Sequence, residues 1–539
     1  MTPMIKTTLK LLTVVLIAIF IGSCSKDSMN IIPEPKSDAN ELITFSINRS
    51  SNPSLSSDCN SFVSGGNIYL SVPEGVSLTS LKPTITVSPK ATISINGVPY
   101  TNNSTSIDFT NTASITITSE SGKSKSFMAL VQSGRATLDN LILAFMKKFD
   151  IPGVSFAISK DEQIVYSVGL GFAIKESATR VKPDMLFRLA SISKQFTSLC
   201  ILKLYEAGKI DLDRNVFGAG GILQNEFPNT APMASQVTIR HLLSNTSGWS
   251  NNPDPMFTST FYGQTLDQRI NFVLTELQKN QVTPGTKYSY FNMGFGILGK
   301  VIEKVSGKSY ETYMKEVLLQ AGINDIHIGG DRSQKRPNEV VYYSQSGTNG
   351  YGNEMQVIAA AGGVIASAPQ MLKLLAHMDG NTKVPDIITP QTRSMMLTPS
   401  AANNRYALGW MVNHSLFFQN CCYHTGNLAG TAVMWVMGNG MNTVVLCNSR
   451  SYIESFDNEL YELQQFKTGS LQHELVDFRH NHSSGTPKNV AIYNKTRGIG
   501  QIVLCPFYFY HFYILWSKFP YTNQHPLLNL STVGDEFRF

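Results

Sequence analysis

The chain has 539 residues, 42% of them hydrophobic and 15% charged, with a formal net charge of +6. This describes a globular protein, slightly poor in charge, long enough for more than one domain and able to bury a sizeable core. No Lys/Arg block stands out, which excludes the electrostatic footprint of a nucleic-acid binder.

In chain order, Lys6 and Lys10 precede an apolar run, LLTVVLIAIFIG, that is too short for a spanning helix and has the length of a signal-peptide core. It ends at Ile21-Gly22-Ser23-Cys24. Small residues directly before a cysteine resemble a bacterial lipoprotein cleavage box. Residues 1–23 are therefore expected to be a signal peptide, with Cys24 the lipidated mature N-terminus. Residues 24–40, polar and holding two prolines, read as a tether.

From 41 to 133 short alternating runs such as NIYLSV, TITVS, SITITS and KSFMALVQ are broken by Gly, Asn, Ser and Pro. This spacing predicts a small antiparallel β-sandwich. The segment resembles the immunoglobulin-like modules that follow the anchor in lipoproteins of Bacteroides-type bacteria. It carries no catalytic cluster, so a spacer or binding module is expected.

Residues 134–466 change character. A helix begins near Thr137, with Leu138, Leu141, Ile142 and Phe145 at helical spacing. GVSFAIS and QIVYSVG follow as a hairpin. SISKQFTSLCILKLYEAG reads as a helix stopped at Gly208. More helices are expected around 265–278, 293–306, 310–320 and 369–378. TAVMWVM and NTVVLCNS flank Gly438-Asn439-Gly440, a closing hairpin. The pattern predicts one α+β domain whose sheet is built from both ends. Residues 467–539 look foreign to it, with five of the ten histidines and an aromatic cluster, and are expected to be a poorly ordered tail. Seven cysteines without CxxC or Cys/His ligand spacing predict neither a disulfide framework nor a structural zinc site. Cys200 and Cys447 sit in apolar runs as small core residues.

Three short stretches carry chemistry. In SISK, Ser191 and Lys194 are three residues apart and share one helix face, close enough for amine and hydroxyl to meet. A serine hydroxyl needs a group to take its proton, and a lysine can do so when burial lowers its pKa. In Tyr290-Phe291-Asn292, a tyrosine near cations can relay a proton, and the asparagine can donate to a substrate carbonyl. In His424-Thr425-Gly426 the glycine would let substrate lie against a strand. The Asn427 amide beyond it would join the Ser191 amide as an oxyanion hole.

Taken together and in this order, the three stretches resemble the serine β-lactamase and penicillin-binding-protein superfamily, in its class C β-lactamase-like branch. FRLASISKQFT, VTIRHLLSNTSGW, PGTKYSYFNMGFGILG, AAGGVIASAPQMLKLL and YALGW support the resemblance, which spans about residues 137–465. It implies a β-lactamase-like domain: an antiparallel sheet flanked by helices plus an all-helical lobe. It also implies Ser191 as acylated nucleophile, Lys194 as the residue assisting its deprotonation, and Tyr290 as proton relay. Asn292, His424, Thr425, Gly426 and Asn427 would bind substrate. Whether Lys194 or Tyr290 is the principal base stays open. His424 stands where class C enzymes carry lysine, which favours an esterase or peptidase over a β-lactamase. Asn245 stands where relatives commonly have histidine.

The expected protein is an exported, lipid-anchored serine hydrolase of the cell envelope. Its partners would be a small-molecule or peptide acyl substrate and the membrane reached by the anchor, with no cofactor and no metal. The competing reading is a non-hydrolytic penicillin-binding or ligand-sensing receptor on the same fold. The complete motif set argues against it.

Overall fold

The computed structural model describes residues 35–64, 66–134, 136–413, 421–438 and 440–465. The signal peptide, Cys24, the tether up to residue 34 and the tail 467–539 lie outside the described residues.

The all-β region comes first. Leu42–Ile47, Cys59–Asn60 and Pro83–Val87 form a three-stranded sheet, and the strands between Phe62 and Gly134 form a six-stranded one. The two sheets enclose a common core. Phe45, Ile47 and Ile85 from the first meet Ile68, Leu70, Ile115, Ile117 and Val131 from the second. One expectation is corrected. Asn67–Pro73 pairs in parallel with Ser124–Gly134, so the sandwich is not wholly antiparallel. These two strands are far apart in sequence, so no hairpin turn imposes opposite directions on them.

The hydrolase-like region follows with α1 (Ala136–Phe149), β1 (Gly153–Lys160) and β2 (Gln163–Ile174). Later come α2 (Ser193–Glu206), α3 (Asn292–Ser306), β3 (Cys422–Leu428), β4 (Thr431–Gly438), β5 (Met441–Cys447) and α4 (Phe456–Gln465). The main sheet runs in the order Thr179–Arg180, β2, β1, β5, β4, β3, all antiparallel. Because β1 pairs with β5, the sheet is assembled from both ends of the region, as the hairpins predict.

Both faces of this sheet are buried, and side-chain alternation sorts them. Phe156, Ala432, Met434 and Val436 pack under α1 and α4 with Phe145, Phe149 and Phe456. Ala157, Val433, Trp435 and Met437 face the helical lobe, where Phe196 of α2 stacks on Trp435, and Trp435 on Trp410. Cys200 and Cys447 are buried core residues, as expected.

The sandwich is not a free arm. Asp139 of α1, wholly buried, accepts hydrogen bonds from Ser71 and Gln132 of the sandwich and from Tyr166 of β2. Arg180 donates to the Val131 carbonyl at 2.8 Å, and Tyr69 packs edge-on against Phe172. A buried carboxylate is tolerated only when its lone pairs are filled, so these donors bind the two regions together. Among the described residues no helix is long and apolar enough to cross a membrane.

Candidate active site

The strand Phe187–Arg188 pairs with Val364–Ala366, and the Leu189 N–H donates to the Val364 carbonyl at 2.9 Å. The chain then turns sharply. Ala190 adopts φ +47°, a left-handed conformation that costs a residue with a Cβ, and strain of this kind persists only where surrounding packing enforces it. A single 3-10 turn, Ala190–Ile192, runs directly into α2 and sets Ser191 at its head. Ser193 Oγ accepts from the Val364 N–H at 3.0 Å, so it fixes the same turn from the other side.

One turn along, Lys194 is fully buried. Its Nζ lies 3.1 Å from Ser191 Oγ and donates to the Ala361 carbonyl at 2.8 Å. That carbonyl belongs to a π-helical turn, Ala359–Gly363, clamped to α2 by a second bond from Thr197 to Ala360. Single π-turns of this kind recur at functional sites. The amine also sits 4.9 Å from the Tyr290 ring centre. Burial pulls its pKa from 10.5 down to about 7, partly opposed by the carboxylate of Asp254.

Tyr290 lies on the loop leading into α3, half-buried, with its hydroxyl engaged by the Ser191 side chain. Burial pushes that hydroxyl well above its ordinary range, so the residue is a neutral phenol at pH 7. Asn245 holds this loop. It takes φ +55°, its Oδ1 accepts from the Phe291 N–H at 3.0 Å, and its carbonyl accepts from the Ser289 N–H. The residue that departs from the usual histidine is thus a brace for Tyr290. Asn251 adds a second brace, donating to the Tyr290 carbonyl at 2.8 Å and accepting from the Asn292 N–H.

Asn292 differs from expectation. One of its amide protons is given to Asp254 Oδ2 at 2.8 Å, and its Oδ1 is buried without a partner. A carboxylate can only accept, which settles which end of the amide faces it.

Strand β3 is the sheet's edge. His424 and Gly426 project onto the face shared with the helical lobe; Thr425 and Asn427 project onto the other. There Tyr461 reaches Thr425, and Arg450 donates to Asn427 Oδ1 at 2.6 Å. Tyr423 exchanges both backbone hydrogen bonds with Met411 across the open edge. By strand alternation the N–H and C=O groups of Thr425 and Asn427 point off that same edge, so their backbones, not their side chains, remain on the Ser191 side.

The glycine reading also changes. A Cβ at Gly426 would lie 2.3 Å from the Leu189 carbonyl oxygen and 3.0 Å from Ala190 Cβ. The bare position lets the strand itself lie against the turn that carries Ser191.

His424 is 1% exposed. Its Nδ1 bonds to the Thr425 carbonyl at 2.6 Å, which places the ring proton there and leaves Nε2 a bare acceptor. Burial and the nearby Lys194 charge push its pKa down to about 3, so it is neutral at pH 7. Tyr290, Tyr406 and His424 form a ring cluster with centres 6.2–6.3 Å apart.

The structure therefore brings together Ser191, Lys194, Tyr290, Asn292 and His424, with Gly426 against the turn. Three participants escaped the sequence reading. Ala361 sits in AAAGGV, where the useful group is a backbone carbonyl. Asn251 and Asp254 sit in SNNPDP, whose only visible signal is a run of turn-forming residues.

An antiparallel sheet and a helical lobe with a serine–lysine pair set at the head of a helix between them define an α+β protein of the β-lactamase-like class. Comparison with known proteins agrees. The family model described as Beta-lactamase matches residues 138–466, and one described as SGBP, N-terminal, matches 43–131. The chain belongs to the β-lactamase family. It is 22% identical over 360 residues to Protein flp of Staphylococcus aureus (strain MRSA252), covering 63% of this chain and 69% of that one. It is 23% identical over 367 residues to an N-acetylmuramyl-L-alanine amidase of Bacillus subtilis (strain 168), covering 59% and 82%. Among solved structures, the octameric penicillin-binding protein homologue from Pyrococcus abyssi superposes with a TM-score of 0.51 at 26% identity, over 61% of this chain and 77% of that one. A class C β-lactamase gives 0.52 at 20% identity, over 62% and 96%.

Proposed function

We propose that this chain is a serine hydrolase that works through a covalent acyl-enzyme on Ser191, cleaving ester or amide bonds of small molecules or peptides. The observation that carries the reading is the Lys194 amine, buried, 3.1 Å from Ser191 Oγ and brought near neutrality at about pH 7. In its neutral form the amine has a lone pair for the serine proton, while Ala361 holds one of its own protons. Ser191 Oγ then attacks the substrate carbonyl. The oxyanion is met by the N–H of Ser191, at the open start of its helical turn, and by the edge N–H of Asn427. Tyr290, a neutral phenol bonded to Ser191, gives its proton to the leaving group and recovers one from Lys194. Water or an alcohol takes the acyl group in the second half-reaction, through the same groups in reverse. Between Lys194 and Tyr290, the opposite directions of their pKa shifts favour Lys194 as the base.

The neutral His424 favours substrates that present no carboxylate beside Tyr290, hence esters and amides before β-lactams. The Bacillus subtilis relative, named as an amidase, is consistent with amide substrates. Work at the cell envelope, from a lipid on Cys24, belongs to the same proposal and rests on the leader sequence.

The test is intact mass and turnover with p-nitrophenyl acyl esters and a fluorescent penicillin. Steady release of nitrophenol, with a transient acyl mass on the peptide holding Ser191, is the expected result. A stable adduct without turnover would identify a covalent sensor, and the absence of both turnover and adduct would overturn the nucleophile assignment. His424→Lys is expected to raise the ratio of β-lactam to ester hydrolysis several-fold, since it supplies a cation for a carboxylate. An unchanged ratio would locate specificity elsewhere.

A further inference from the structure

The loop after Thr246-Ser247-Gly248-Trp249 carries no motif, yet it delivers a carboxylate to the catalytic groups. Asp254 is half-buried. Its Oδ1 accepts from the Met256 N–H at 2.9 Å, and its Oδ2 accepts from Asn292 Nδ2 at 2.8 Å. The loop itself is held from beneath. Arg269, fully buried, donates to the carbonyls of Pro255 and Met256 at 3.0 and 3.3 Å and to that of Gln264 at 3.2 Å. The same guanidinium pairs with Glu354, which also accepts from the Gly263 N–H. The Glu354 carbonyl accepts from Val357 and Ile358, just before the π-turn whose Ala361 carbonyl holds Lys194. The loop from Asp254 to Gln264 and the segment from Glu354 to Ala361 are thus joined through Arg269 into one scaffold.

We propose that Asp254 is a positioning residue of this active site: its carboxylate fixes the Asn292 amide and supplies the negative charge that faces Lys194. The inference rests on the serine-hydrolase reading above. Because the carboxylate takes an Nδ2 proton, the amide is locked with Oδ1 turned away from Asp254, buried and unpartnered. A locked amide presents one fixed pattern to the acyl side of a substrate, whereas a free one could flip. The groups facing Lys194 are Ser191 and Tyr290, both neutral, the neutral His424, the Phe295 ring and Asp254. Burial raises the Asp254 carboxyl above its ordinary range, opposed by the hydrogen bonds from Asn292 and Met256 and by the Lys194 and Arg269 charges that it faces. It is the single anion acting on the amine among these groups, and it favours the protonated form. Its charge and its hydrogen bond therefore have separable consequences.

The experiment measures kcat and KM against pH for the full chain and for Asp254→Asn and Asp254→Glu. Asparagine at 254 keeps the shape and can still accept from Asn292, but removes the charge. The acid limb of kcat/KM is expected to move about one pH unit lower, with the alkaline plateau within about threefold of the parent. Glutamate keeps the charge and displaces it. The limb is expected to stay and the plateau to fall about tenfold, through misorientation of Asn292. A merely structural residue would lower the melting temperature and the plateau together and leave both limbs in place. An acid limb unmoved in Asp254→Asn, or moved equally in Asp254→Glu, overturns the inference while leaving the hydrolase intact. If the parent chain neither turns over nor acylates, the hydrolase reading fails and this inference with it.

Discussion

Lys194→Met is expected to lower kcat/KM by about 10²–10⁴, the contribution of a positioned general base. Ser191→Ala should be at least as severe, and the double variant no worse than the worse single one, because the two groups act as a unit. In the parent, activity should rise with pH through the lysine's pKa of about 7, and this limb should vanish in Lys194→Met. The same substitution has a stability signature. Between pH 7 and 10.5 the unfolded chain binds a proton at this position and the folded chain does not, so the parent gains stability as pH rises through that window. The burial penalty is about 1.36 kcal/mol for each pH unit between the two values. Methionine has no such penalty, though it leaves the Ala361 carbonyl without its donor, at about 1–3 kcal/mol. Thermal unfolding at several pH values checks this. The difference in melting temperature, variant minus parent, should be most favourable to the variant near pH 7 and shrink steadily towards pH 10. A difference independent of pH would mean that Lys194 is not held against its charge.

Gly426→Ala is expected to impair both stability and chemistry, although the added group is one methyl. Its Cβ would meet the Leu189 carbonyl oxygen at 2.3 Å and Val433 Cγ2 at 2.6 Å, and the first of these is backbone. Neither neighbour is a flexible side-chain end that could swing aside. Overpacking of this kind costs about 1–3 kcal/mol. The strand or the turn that carries Ser191 must move, and the turn includes Ala190 in its left-handed conformation. A shift of about 1 Å at Ser191 is worth roughly 10² in rate. The expected result is a lower melting temperature together with a fall in kcat that outweighs any change in KM. Parent-like values of both would show that the edge strand can retreat without disturbing Ser191.

The two substitutions mark where the sequence stopped being informative. Ser191 and Lys194 were legible because Tyr290-Phe291-Asn292 and His424-Thr425-Gly426 follow them in order, and helical spacing puts residues three apart on one face. The closing hairpin was legible because Gly438-Asn439-Gly440 separates two apolar runs. His424, Gly426 and Asn427 could be named but not oriented. Which face of β3 each side chain takes depends on which face of the sheet the helical lobe covers, and alternation states only that neighbours differ. The parallel pairing inside the sandwich escaped for a related reason: local pattern reports strand existence, while direction follows from a long connection.

What the sequence by itself determined is therefore the inventory and its local geometry: a serine with an amine one turn away, a tyrosine and asparagine at a helix start, and a histidine and glycine on a strand. Tertiary structure decided the chemistry's working state. Lys194 is lowered to about pH 7 because the assembled core strips it of water, and it is aimed by a carbonyl 167 residues away. Asn292 is oriented by Asp254, 38 residues away, on a loop that Arg269 and Glu354 hold in place. Periodicity records which residues share a face of one element. Desolvation and the meeting of distant groups exist only once the elements have packed.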